Sequence, residues 1–158
     1  EGQDEEVFAA RVKEWFEAEV RHRLRPGAAK AIAKHQKAQD SVVLATSSSI
    51  YVAELAREAY GLDGAIYTRF EVEKGHFTGR VASSAIGPAK AVLAQEWASK
   101  NRESLSEAAF YTDSMSDLAL MEMVGHPVAV NPDRALLKLA RHRSWPVVDW
   151  GTADGNPL

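Results

Sequence analysis

Val42-Val43-Leu44-Ala45-Thr46-Ser47-Ser48-Ser49 is a short apolar run that breaks into four hydroxyl side chains. Four uninterrupted apolar residues suit a strand buried on both faces, as in a parallel sheet. Val52, Leu55, Ala56 and Ala59 follow at helical spacing, and Gly61 sits where that helix should stop. The same order recurs downstream. Ala108-Ala109-Phe110-Tyr111-Thr112 reads as a buried strand ending in Asp113, and Leu118 to Val124 as a helix stopped by Gly125. Val128-Ala129-Val130 reads as another strand, then a helix over 132–142 with Asn131 as its cap and Pro132 at its first position. Val147-Val148, after Pro146, completes the alternation. Strand alternating with helix predicts an α/β domain with a mainly parallel sheet flanked by helices.

Between these runs, Ala65 to Tyr67 offers a brief strand, and Phe70 to Val81 reads as a hairpin turning at Lys74-Gly75. Gly87-Pro88 opens a helix carrying Val92, Leu93, Ala94 and Trp97. Ahead of the first strand, Phe8, Val12, Trp15, Phe16 and Val20 mark an amphipathic helix over 5–24. Arg25-Pro26-Gly27 breaks it before a helix over 27–38. The four tryptophans are expected in the core or at its rim.

A chain of 158 residues makes one domain at about 150 residues each. Nineteen basic against 22 acidic residues give −3, too balanced for a dedicated nucleic-acid binder. The basic run Arg21-His22-Arg23 with Arg25 suits a helix C-terminus. No apolar run approaches the ~18 residues of a membrane span. The acidic opening Glu1 to Glu6 is unlike a signal or transit peptide. Cysteine is absent, which excludes disulfide scaffolds and thiolate sites and is compatible with the cytoplasm. No Walker loop, nucleophile elbow or H-E-x-x-H helix occurs, and the five histidines show no metal-ligand pairing.

In a parallel sheet the ligand site lies at the carboxyl ends of the strands. Thr46, Ser47 and Ser48 there, leading into a helix N-terminus, suit a phosphate; plain serine capping accounts for the same residues. Asp113 and Asp117, four apart, can converge on one hard cation such as Mg²⁺, or Asp117 can simply cap a helix. Lys90 lies in the first turn of its helix, where a cation opposes the dipole unless an anion is close.

Taken in order, these residues resemble the haloacid-dehalogenase-like phosphohydrolases, in their phosphoserine-phosphatase-like branch. Leu44 to Ser48 is similar to the second motif, Gly87-Pro88-Ala89-Lys90 to the third, and Tyr111 to Asp117 to the fourth. The hairpin Glu73 to Gly79 and the stretch Gly125 to Asp133 match as well, so the resemblance runs from about Arg25 to Trp150. It implies a Rossmann-like core, Mg²⁺ as cofactor and a small phosphorylated metabolite as substrate. It implies Thr46, Ser47, Ser48 and Lys90 around the phosphate, and Lys90, Asp113 and Asp117 as catalytic residues. Asp113 would be the direct metal ligand and Asp117 a supporting one.

The family attacks phosphomonoesters through an aspartate in a D-x-D-x-[TV] motif, and no D-x-D occurs in these 158 residues. Asp149-Trp150-Gly151-Thr152 fails because Gly151 stands where the second aspartate is required. The fourth motif carries Thr112 and Ser114 at the family's two glycines and Ser116 at its asparagine. The resemblance therefore implies residues 1–25 as the remnant of a helical cap, 26–150 as a core lacking its central nucleophile strand, and 151–158 as a tail. That strand belongs between the strands ending at Thr46 and Asp113. An amino-terminal segment, a second copy, or closure of the two edges would complete the sheet, and the chain alone is expected to be inactive. A non-catalytic phosphate-and-metal-binding module and a receiver-like signalling domain are the other readings.

Overall fold

The computed structural model describes residues 2–152, so most of the expected tail, 153–158, lies outside the described residues. The described residues divide into two compact units, residues 2–24 with 32–85, and residues 25–31 with 86–152.

In the first unit, helix α1 (Glu5–Trp15) starts at Asp4, whose Oδ1 accepts the Val7 N–H at 2.9 Å. A π-helical turn (Phe16–Val20) ends it, closed by the Arg21 N–H on the Phe16 carbonyl. Phe16 is fully buried, whereas Trp15 is half exposed, which corrects the expectation that every tryptophan lies in or beside the core. The spacing-derived stripe is right for Phe16 and wrong for its neighbour, because a helix of successive aromatics can bury only one of them.

Strand β1 (Val43–Ser49) runs through the hydroxyl stretch expected to follow it, and helix α3 (Ile50–Ala59) begins only at Ile50. Helix α2 (Pro26–Lys37) precedes it. Buried Ala53 and Ala56 face the sheet side of α3 economically, since small side chains permit close approach. The brief strand at 65–67 and the first hairpin arm prove to be one strand, β2 (Gly64–Glu73). Its first half pairs parallel with β1 and its second half antiparallel with β3 (His76–Ser83). The turn is Lys74-Gly75, with φ of 52° and 80°. Two consecutive left-handed residues match the twist of a tight hairpin, as the Lys-Gly reading required. Phe8, Tyr51 and Phe77 then stack edge-to-face, with centroids 5.2–5.9 Å apart.

In the second unit, β4 (Ala109–Thr112), β5 (His126–Val130) and β6 (Val147–Val148) form a parallel sheet in that order. Helix α4 (Pro88–Asn101) buries Ala91, Ala94 and Ala98 along one face. The helix expected over 118–124 is shorter: a 3₁₀ turn (Met115–Asp117) leads into α5 (Leu118–Met121). At Gly125 any Cβ would collide with the Ser106 carbonyl, so this position is fixed as glycine by close backbone approach. Helix α6 (Arg134–His142) is capped by Asp133, correcting the reading that put Asn131 at the cap and Pro132 inside the helix. Asn131 is left-handed, at φ 41°, and its side chain is engaged with Asp149 and the Trp150 N–H. Met121, Ala129, Leu136 and Ala140 form the core of this unit, with Phe110, Met115 and Trp145 against it. The result is an α/β fold of parallel strands flanked by helices. No helix among the described residues is long and apolar enough to cross a membrane.

Candidate active site

At the carboxyl end of β4 the chain buries three polar side chains together. The Lys90 ammonium donates to Asp117 Oδ1 at 2.5 Å, and the Thr112 hydroxyl donates to Asp117 Oδ2 at 2.7 Å. Lys90, Asp117 and Thr112 are 4%, 6% and 8% exposed, and no buried side-chain polar atom among the described residues lacks a partner. Lys90 reaches Asp117 because Gly87-Pro88 starts α4 and leaves residue 90 on the helix's buried face. An ion pair in so dry a place is costly to desolvate and costlier still to break, since the surviving charge has no water to turn to.

The turn after β4 is built from its own hydroxyls. Thr112 Oγ1 accepts the Ser114 N–H at 3.2 Å, Ser114 Oγ accepts the Ser116 N–H at 3.2 Å, and the two serine hydroxyls lie 2.8 Å apart. Asp113, by contrast, is exposed, and among the described residues its carboxylate accepts no hydrogen bond. The two aspartates of this motif are thus different groups. One is a buried, fully engaged anion; the other is open to solvent.

Thr46, Ser47 and Ser48 belong to the first unit. Thr46 Oγ1 accepts the Ser48 N–H at 3.1 Å, and the Ser47 hydroxyl donates to the Ala85 carbonyl at 3.4 Å. Ser49 occupies the cap position of α3 without a side-chain capping bond. Serine capping, the simplest account of these hydroxyls, is therefore not what holds the start of α3. No group of three or more His, Asp or Glu side chains suited to a metal is gathered among the described residues. One or two carboxylates with phosphate oxygens and water are the usual Mg²⁺ set, and exposed Asp113 fits that chemistry.

Two functional-looking residues escaped the sequence reading. Thr112 stood there only as a replaced glycine; its hydroxyl in fact bridges Asp117 and the turn. Asp133 was read only as part of a matching stretch, yet it binds the Met115 N–H at 3.0 Å as well as capping α6. Its N–H donors, Leu136 first and then Met115, hold its carboxyl below the ordinary aspartate value. An Asx residue beside a proline was the available signal.

The haloacid dehalogenase-like hydrolase family model matches residues 1–122. A probable phosphatase of Mycobacterium tuberculosis is 41% identical over 78% of this chain and 43% of its own length. The phosphoserine phosphatase of the same organism is 30% identical over 97% of this chain and 50% of its own. A solved structure from Bordetella pertussis, of unknown function, superimposes with a TM-score of 0.86 at 29% identity, over 94% of this chain and 68% of that one. The chain spans about half the length of the curated relatives it matches. With the family model matching most of its length, this chain belongs to the haloacid dehalogenase-like hydrolase family.

Proposed function

We propose that these residues form part of a Mg²⁺-dependent phosphatase acting on a small phosphomonoester. The buried Lys90–Asp117–Thr112 cluster beside exposed Asp113 carries that reading. Asp117 fixes the Lys90 ammonium at the strand end, where it would neutralise phosphate charge. Asp113 would hold the Mg²⁺, which when bound polarises the phosphoryl oxygens. Thr46 Oγ1 accepts the Ser48 N–H, which leaves the Thr46 hydroxyl proton to offer to a phosphate. Phosphatase names among the relatives support the substrate class; residues 1–25 fit the remnant of a cap.

The attacking aspartate is the missing part. No D-x-D occurs in the 158 residues, and among the described residues β1 and β4 are each an edge strand of a three-stranded sheet. Both observations support a nucleophile strand supplied by a segment outside these residues or by a second copy. The test is hydrolysis of p-nitrophenyl phosphate with Mg²⁺ and with EDTA, by the whole protein and by the 158 residues alone. Metal-dependent turnover by the whole protein only is expected. Turnover by the 158 residues would refute the missing-nucleophile reading, and none by the whole protein would refute the phosphatase.

A further inference from the structure

An N-cap needs one oxygen, and Asp133 uses two. Its Oδ1 accepts the Leu136 N–H at 2.8 Å, which caps α6, while Oδ2 accepts the Met115 N–H at 3.0 Å. Its own N–H donates to the Asp113 carbonyl at 2.9 Å. Residue 133 thus grips the β4 exit on both sides of Ser114, from the end of the neighbouring strand β5. Its other ties among the described residues are local ones: the hydroxyls of the turn, and the Asp117 and Leu118 N–H groups on the Ser114 and Met115 carbonyls.

We infer that Asp133 is a positioning residue, which sets Asp113 in place for the cation through the backbone of residues 113–115. It touches no substrate and is not itself a catalytic residue. The inference rests on the proposed role of Asp113. Groups that orient metal ligands without touching the metal are worth about 10–100-fold in affinity, because an exposed carboxylate left mobile must be ordered when the ion binds.

Chemistry separates the two tasks of Asp133. Asparagine caps a helix about as well as aspartate, but it has only one acceptor oxygen, and its amide nitrogen would meet the Met115 N–H donor to donor. Asp133→Asn therefore keeps the cap and loses the tie; Asp133→Ser, with one hydroxyl, is a second variant of the same kind. The experiment is calorimetric titration of Mg²⁺ alone into the whole protein, with amide exchange at Met115 followed in parallel. The expected result is Mg²⁺ affinity lowered by about tenfold, faster exchange at Met115, and a melting temperature close to the parent's. Parent-like Mg²⁺ affinity in both variants reduces Asp133 to a helix cap and overturns the inference. Asp113→Asn is the reference. If it binds Mg²⁺ like the parent, the metal role of Asp113 falls and the inference falls with it. If it loses Mg²⁺ while the Asp133 variants keep it, only the positioning role is overturned.

Discussion

At the end of β4, the Lys90 and Asp117 side chains keep 5% and 8% of their exposure. On the hairpin, Arg80 keeps 65% of its own while it holds Glu71 and Glu73. The hairpin group is richer in contacts: Arg80 bonds both glutamates, and Thr78 donates to Glu71. Richness in contacts is a poor guide to importance. Water can replace every bond of the hairpin group, because each of its members is already wet. In the buried cluster no such replacement is on offer, so each partner is obligatory to the others.

The sharpest way to break this comparison is Lys90→Ala, which strands Asp117 in a dry site. Urea unfolding should show a loss of about 3–5 kcal/mol, and phosphatase turnover of the whole protein should collapse. Near-parental stability would mean that Asp117 is wet after all. Thr112→Val is a finer cut, since it keeps the branched shape and removes only the hydroxyl. It leaves Asp117 Oδ2 and the Ser114 N–H without their partner, at about 1–3 kcal/mol on the same unfolding curve.

The hairpin should answer weakly. Arg80→Ala is expected to move the melting temperature by a few degrees at most, and less in high salt. Glu71 is held below its ordinary value of 4.5, first by the Thr78 hydroxyl and then by Arg80. A depressed folded pKa stabilises above the unfolded value, and that contribution fades as pH falls through the folded one. Arg80→Ala should therefore flatten the acid limb of a stability–pH curve; an unchanged limb would mean that Thr78 alone sets Glu71. The smallest effect is alkaline. Burial raises the Tyr111 phenol above 10.0, so its contribution is complete below that pH and lost as pH rises beyond it. Tyr111→Phe should remove a late phase from the phenolate absorbance titration, and loss of an early phase instead would contradict burial as the cause.

The alternation of strands and helices, the Lys74-Gly75 turn and the Gly61 stop were all legible, because each depends on neighbours a few residues away. The family was legible from the order of several short stretches, and the match of the family model bears it out. The union of 65–67 with the hairpin arm was not: Thr68 and Arg69 join them only because β2 changes partner there, from β1 to β3. Nor was the choice between Asn131 and Asp133 as cap. Both suit the position locally, and the decision comes from β6, whose exit occupies the Asn131 side chain. Thr112 was hidden for the same reason, since its partner lies across a turn whose geometry no local rule supplies.

That change of partner in β2 has a kinetic side. The half facing β3 closes through two residues, and such hairpins form in about 1–10 μs. The half facing β1 must wait for α3 to cross over, and the Gly2–Phe77 bond at the edge of β3 joins residues far apart in sequence. Loop-closure entropy orders these events. The Lys74-Gly75 end should be structured in the folding transition state, the β1 register later, and the amino-terminal addition last. A single strand would then record, from its carboxyl to its amino end, the sequence in which its unit is assembled.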